Sequence, residues 1–113
     1  MKIPFEQIEW QNVSTDVLEG TTGTIEIKKR DYNGFMVRIL KCSPNFKLDH
    51  WCSTGHIAYC LEGECTLNTL DGKSFTLIQG SSFVVSDNEP AHDLISHNGA
   101  TLFVIDGDFL GDT

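Results

Sequence analysis

Two short stretches of the chain concentrate side chains that bind transition metals. The first is Asp49-His50-Trp51-Cys52-Ser53-Thr54-Gly55-His56. The second is Glu89-Pro90-Ala91-His92, with His97 five residues further on. Neutral imidazoles and a thiolate suit zinc, iron, nickel or copper. They do not suit calcium or magnesium, which take oxygen ligands. On a strand, side chains two apart share a face, so His50 and Cys52 are expected to point at one spot. Gly55 permits a tight return before His56. His56, Ala58 and Cys60 would share a face of the next strand, with Ala58 leaving room beside His56. His92 would come from a separate strand and close the site. The candidate ligands of a divalent transition metal are therefore His50, Cys52, His56 and His92.

Each of these residues also has an ordinary structural role. Histidine in a small β domain is often a surface or satisfied core residue, and free cysteine is commonly a small buried hydrophobe. Around the candidates, Asp49, Tyr59 and Asp93 could orient a ligand or relay a proton. Trp51 lies between two candidate ligands and faces away from them, which suits packing or a subunit contact. Trp10 reads as a packed anchor, Cys60 and Cys65 as buried thiols, and His97 in His97-Asn98-Gly99 as a turn residue, while Cys42 is expected near the mouth of the fold with nothing to give it a partner.

Strands must position these groups. Runs rich in Val, Ile, Thr, Phe and Tyr recur along the chain, separated by Gly, Asn and Asp. Asn33-Gly34 separates Thr24–Lys29 from Phe35–Leu40, and Asp71-Gly72 separates Cys65–Leu70 from Ser74–Ile78. Both dipeptides predict type I′ hairpin turns. Glu62-Gly63 predicts a third turn, between His56–Leu61 and the strand that follows. Ser82–Val85, His92–Ser96, Ala100–Ile105 and an N-terminal strand over Ile3–Trp10 complete the set. This even spacing predicts an all-β sandwich or barrel. Phe35–Leu40 is apolar on both faces, which suits a strand covered inside by the barrel and outside by a second sheet or subunit.

The chain has 113 residues, 40% of them apolar, and a formal net charge of −8. That is one domain, 1–113, with a real core. The acidic balance disfavours nucleic acid and anionic lipid surfaces, and Lys28-Lys29-Arg30 is too short a basic run to reverse it. No apolar run approaches a membrane span. The first ten residues lack the apolar stretch of a signal peptide, so the expected location is cytoplasmic. The four cysteines include no Cys-x-x-Cys pair, which excludes a zinc ribbon or thioredoxin-like motif. In a reducing compartment they are free thiols or ligands. No nucleophile elbow supports a Ser–His–Asp triad. Gly20-Thr21-Thr22-Gly23 lacks the lysine and helix of a phosphate loop.

The pattern resembles the cupin superfamily over about residues 40–105. The first cupin motif is Gly-x5-His-x-His-x3–4-Glu-x6-Gly, and here the segment reads His50-x-Cys52-x3-His56-x6-Gly63. Cys52 stands at the second His position and His56 at the Glu position. The second motif, Gly-x5-Pro-x-Gly-x2-His-x3-Asn, is met by Gly80 and by His92, one residue late. Ser86 and Asn88 replace its Pro and second Gly, and Pro90 lies two before His92. Asp49-His50-Trp51-Cys52 also looks like a small cupin branch named for an Asp-His-Cys-Trp motif. The resemblance implies an all-β double-stranded β-helix, mainly antiparallel, with a divalent transition metal (zinc, nickel, iron or copper) inside and a homodimeric assembly.

Three functional expectations follow. With only the histidines as ligands, the metal keeps open positions for a small-molecule substrate. With Cys52 as fourth ligand the site is closed, and the protein senses, stores or is stabilised by metal. Without metal, the barrel is a ligand-binding or interaction module.

Overall fold

Alternating inward and outward side chains carry the described residues through nine strands. The structure, a computed structural model, describes residues 3–111. The strands are β1 (Asp16–Glu19), β2 (Thr24–Tyr32), β3 (Phe35–Cys42), β4 (Phe46–Lys47), β5 (His56–Asn68), β6 (Ser74–Ile78), β7 (Ser82–Val85), β8 (Ile95–Ser96) and β9 (Ala100–Gly107). All pairings are antiparallel. One layer runs β1-β2-β3-β9-β5-β7 and the other β4-β8-β5-β6, with β5 common to both. Between the layers lies an apolar core that includes Ile25, Leu40, Phe46, Ala58, Cys60, Leu67, Leu94, Leu102 and Val104. This is the all-β, mainly antiparallel barrel that the resemblance implied. Among the described residues, no helix is long and apolar enough to cross a membrane.

The Asn33-Gly34 hairpin forms, with Tyr32 opposite Phe35. Its turn is not type I′, because only Gly34 has positive φ, at 100°. At Asp71-Gly72 the loop is one residue longer than expected. Gly72 N–H donates to Thr69 O, Thr69 N–H donates to Lys73 O, and Gly72 takes φ 95°. That is a tight turn closed by a left-handed glycine, one of the common longer hairpin loops.

Glu62-Gly63 is not a turn. Residues 56–68 form one strand, interrupted by a β-bulge between Cys60 and Glu62. Gly63 supplies the left-handed conformation there, at φ 75°. The extra residue shifts the inward parity: His56, Ala58 and Cys60 are buried before the bulge, and Cys65 and Leu67 after it. A bulge bends its strand, so β5 serves one sheet and then turns into the other.

Ile3–Trp10 is not a strand either. Pro4 can donate no backbone hydrogen bond, and side chains tie this segment down instead. Glu6 accepts from Arg30 at 2.8 Å and from the Tyr32 hydroxyl, and Lys28 donates to Trp10 O at 2.9 Å. The run predicted over His92–Ser96 is a strand only at Ile95–Ser96, with His92 making isolated bridges to Cys52 and Thr69.

Candidate metal centre

Cys52 and His92 are set by backbone pairing. Cys52 N–H donates to His92 O at 2.7 Å, and His92 N–H donates to Cys52 O at 2.9 Å. Two residues that exchange both hydrogen bonds stand directly opposite, and their side chains project on one face. The neighbouring Leu70 N–H donates to Ala91 O, which anchors the same loop from its other side.

His56 opens β5 four residues after Cys52, and Gly55 lets the chain come in close. A Cβ on Gly55 would lie 2.6 Å from Val85 O. Its N–H donates to the Asp87 carboxylate. Cys52, His56 and His92 thereby meet, each with a ligating atom within 4.8 Å of the others. His56 and His92 are buried, and Cys52 is half-buried. Cys52 Sγ lies 3.6 Å from His56 Nε2.

His50 stands apart from this group. Residues 49–51 form no strand, so the two-residue alternation that would place it beside Cys52 does not operate. Its Nδ1 pairs with Asp49 at 2.7 Å, and its side chain is 63% exposed. It still lines the rim of the interior cavity that the other three share. Asp49 has its partner in His50, and Asp93 accepts from the Asn68 backbone and side chain. Tyr59 is 44% exposed.

The partner of His56 is a residue that the sequence did not single out. His56 Nδ1 donates to Asp106 Oδ1, and Asp106 Oδ2 forms an ion pair with Arg38 Nη2 at 2.8 Å. Arg38, Asp106, His56 and Cys52 thus form a line across three strands and a loop. Its charges are mutually supported. The hydrogen bond from His56, then that from His92, lowers the Cys52 thiol to about 5 against the cost of burial. Burial opposes a charge on His56, but Asp106 and Cys52 outweigh it and raise His56 to about 9. Burial likewise disfavours the Asp106 carboxylate, which His56 and Arg38 hold below its ordinary range. The remaining thiols are different in kind: burial pushes Cys42 and Cys65 up to about 12.

The site faces a cavity of about 180 Å³ walled mainly by Ile, Leu, Val and Phe side chains. A second groove, of about 380 Å³, lies on the far side of Leu67, Phe83 and His92.

Solved structures share this architecture. The polyketide cyclase RemF from Streptomyces resistomycificus is 18% identical, with a TM-score of 0.76 over 92% of this chain and 80% of that one. Ectoine synthase from P. lautus is 14% identical, with a TM-score of 0.73 over 96% and 80%. An RmlC-like cupin from Shewanella frigidimarina is 19% identical, with a TM-score of 0.68 over 86% and 85%. The fold is that of the cupins. No protein-family model and no curated protein matches the chain.

On this cupin fold, Asp106 could have been found by parity alone. Ala100, Leu102 and Val104 face inward on β9, so position 106 continues the inward face. A carboxylate there needs a buried partner. The predicted end of the strand at Ile105 stopped one residue short of it.

Proposed function

We propose that this cupin-fold chain binds a divalent transition metal through Cys52, His56 and His92, and a small molecule at the position those ligands leave open. The separation of 3.6 Å between Cys52 Sγ and His56 Nε2 carries this reading. A tetrahedral ion with metal–sulfur and metal–nitrogen bonds of about 2.3 and 2.0–2.1 Å holds two such ligands about 3.6 Å apart. The donor chemistry agrees: one thiolate with two imidazoles suits zinc, nickel or copper. Asp106 fixes the His56 tautomer so that Nε2 faces the site, the usual arrangement behind a ligating histidine. Three protein ligands leave a fourth position, where the ion would act as a Lewis acid toward a bound oxygen or carbonyl. The solved relatives named above include a cyclase and a synthase, which supports a small-molecule role without choosing the reaction.

Metal content per chain, measured element by element on protein purified without chelator, tests the proposal. About one equivalent in the wild type, lost in Cys52→Ser and in His92→Ala, is the expected result. No metal after each candidate ion has been offered would refute it.

A second reading rests on the Cys52–His56–Asp106 line itself, which is a nucleophile, a base and an orienting carboxylate. In that reading Cys52 acts as a metal-free thiolate. Rapid alkylation of Cys52 by iodoacetamide at neutral pH, in protein that takes up no ion, would select it.

We further infer a cytoplasmic homodimer. Ile57, Tyr59, Phe103 and Ile105 lie in adjoining register on β5 and β9. They alternate with the inward Ala58, Cys60, Leu102 and Val104, so they face outward and offer an apolar surface to a second copy. Sedimentation at micromolar concentration would distinguish a dimer from a monomer.

A further inference from the structure

Among the described residues, Arg38 Nε is the one buried side-chain nitrogen or oxygen without a hydrogen-bond partner. That nitrogen is sealed from solvent and from the cavity alike, so a ligand can meet only the rest of the guanidinium. Arg38 as a whole nevertheless borders open space. Its side chain, 17% exposed, lines the same interior cavity as Cys52, His56 and His92. Among the described residues it is the only Lys or Arg that does so, and most of the remaining wall is aliphatic. Only Nη2 is committed, to Asp106. Arg38 also lies at a mouth: together with Leu18 and Ile27 it lines an outer cleft of about 350 Å³ that carries Lys29 and Asp16 at its rim.

We propose that Arg38 receives the carboxylate of a small ligand whose apolar body fills the interior cavity beside the metal centre. The proposal rests on the metal reading for the charge balance and for what meets the opposite end of that ligand. Three features set the class. An anion in an aliphatic cavity needs a fixed counter-charge, and a guanidinium with one nitrogen on Asp106 still has donors to offer a carboxylate. With a divalent ion bound, Arg38 and the ion against Asp106 and the Cys52 thiolate leave one net positive charge, which a monoanion neutralises and a dianion overshoots. The volume of about 180 Å³ sets the size, because cavities of about 150 Å³ hold a benzene-sized molecule. The occupant is therefore a monocarboxylate of about the bulk of benzoate, with few polar groups besides its acid.

Calorimetric titration with benzoate, and with benzyl alcohol as its uncharged counterpart, tests this. The protein is used both zinc-loaded and metal-free, with circular dichroism confirming the fold of each variant. Benzoate should bind more tightly than benzyl alcohol to the wild type. Its affinity should fall at least tenfold in Arg38→Gln and less in Arg38→Lys, while benzyl alcohol binds all three alike. Equal benzoate affinity in wild type and folded Arg38→Gln, or no benzoate binding to either form, overturns the proposal. Should Arg38→Gln not fold, the wild type still decides the matter. The chain has two arginines, and Arg30→Lys assigns their side-chain Nε–H signals by nuclear magnetic resonance. The Arg38 signal must shift on adding benzoate, and a signal that stays put refutes the subsite. Arg38-dependent benzoate binding in protein that never takes up metal would sink the metal centre and leave this subsite standing. Metal uptake with Arg38-independent benzoate binding would do the reverse.

Discussion

Asp106 stands directly across the β5–β9 pairing from His56. The register Ile57 opposite Ile105 puts the two one step further along, on the inward face, and the His56 Nδ1–H reaches the Asp106 carboxylate there. Arg38 approaches the same carboxylate diagonally from β3, where Met36 is opposite Asp106. The backbone register of three strands thus fixes which nitrogen of His56 faces the cavity.

Asp106→Asn should therefore act on metal and stability together. Losing the partner behind a ligating histidine weakens metal affinity by about 10- to 100-fold, measurable by competition with a chromogenic chelator. Leaving Arg38 buried without its carboxylate costs about 3 kcal/mol, readable by urea unfolding. Unchanged affinity would show that His56 needs no support from β9.

His50→Ala should retain metal. Its imidazole is paired with Asp49 and largely exposed, outside the group formed by Cys52, His56 and His92. Loss of the ion in this variant would place His50 in the coordination sphere and overturn the three-residue assignment.

Metal uptake should depend on pH with a definite sign. In the metal-free protein, Cys52 loses its proton at about 5 and His56 at about 9. Between these values the thiolate is ready, but the ion must displace a proton from His56 Nε2. Affinity should then rise about tenfold per pH unit up to about 9 and level off above it. Below about 5 Cys52 is protonated as well, and the dependence should steepen further. Calorimetry in buffers of different ionisation heat should report about one proton released per ion at neutral pH. No release would contradict a protonated His56.

Much of this arrangement was legible in the sequence because strand alternation and turn chemistry are local. The strands Ser74–Ile78 and Ser82–Val85, the hairpin at Gly34, and the shared face of His56, Ala58 and Cys60 all follow from spacing. The misreadings occurred where a local signal has two physical outcomes. Glycine at a left-handed position ends a hairpin at Gly34 and only bends a strand at Gly63. His50 and Cys52 share a face only if the intervening backbone is extended and paired, and tertiary pairing reaches Cys52 but not His50. Asp106 and Arg38 carried no motif. Their roles arise from register between strands far apart in sequence.

Gly63→Ala and Gly72→Ala should separate backbone strain from crowding. Both glycines have positive φ, at 75° and 95°. A Cβ at Gly72 meets nothing within 4 Å, whereas one at Gly63 lies 2.3 Å from Gly99 O. Gly72→Ala should cost about 1 kcal/mol, from strain alone. Gly63→Ala should cost about 3 kcal/mol or more, lowering Tm by more than 10 °C, at about 4 °C per kcal/mol for a domain of this size. Similar melting temperatures for the two variants would deny the close approach at the bulge.

Chelation should lower the melting temperature of metal-loaded protein. An ion present at about a hundred times its Kd stabilises the folded state by about 2.7 kcal/mol. A melt indifferent to chelator, in protein shown to carry metal, would mean that the ion also binds the unfolded chain.

The bulge in β5 has a consequence for how the molecule comes apart. Most of the pairing that joins the two sheets runs through this one continuous strand, which gives its first half to β7 and β9 and its second half to β6 and β8, and a short bridge between Thr22 and Lys47 adds to it. Neither sheet can be released without freeing an edge of the other. The barrel should therefore open as one cooperative unit. The amides of Ala58 and Leu67, on opposite sides of the bulge, should exchange with deuterium at the same slow, global rate, while the loop holding Cys52 and His92 exchanges sooner.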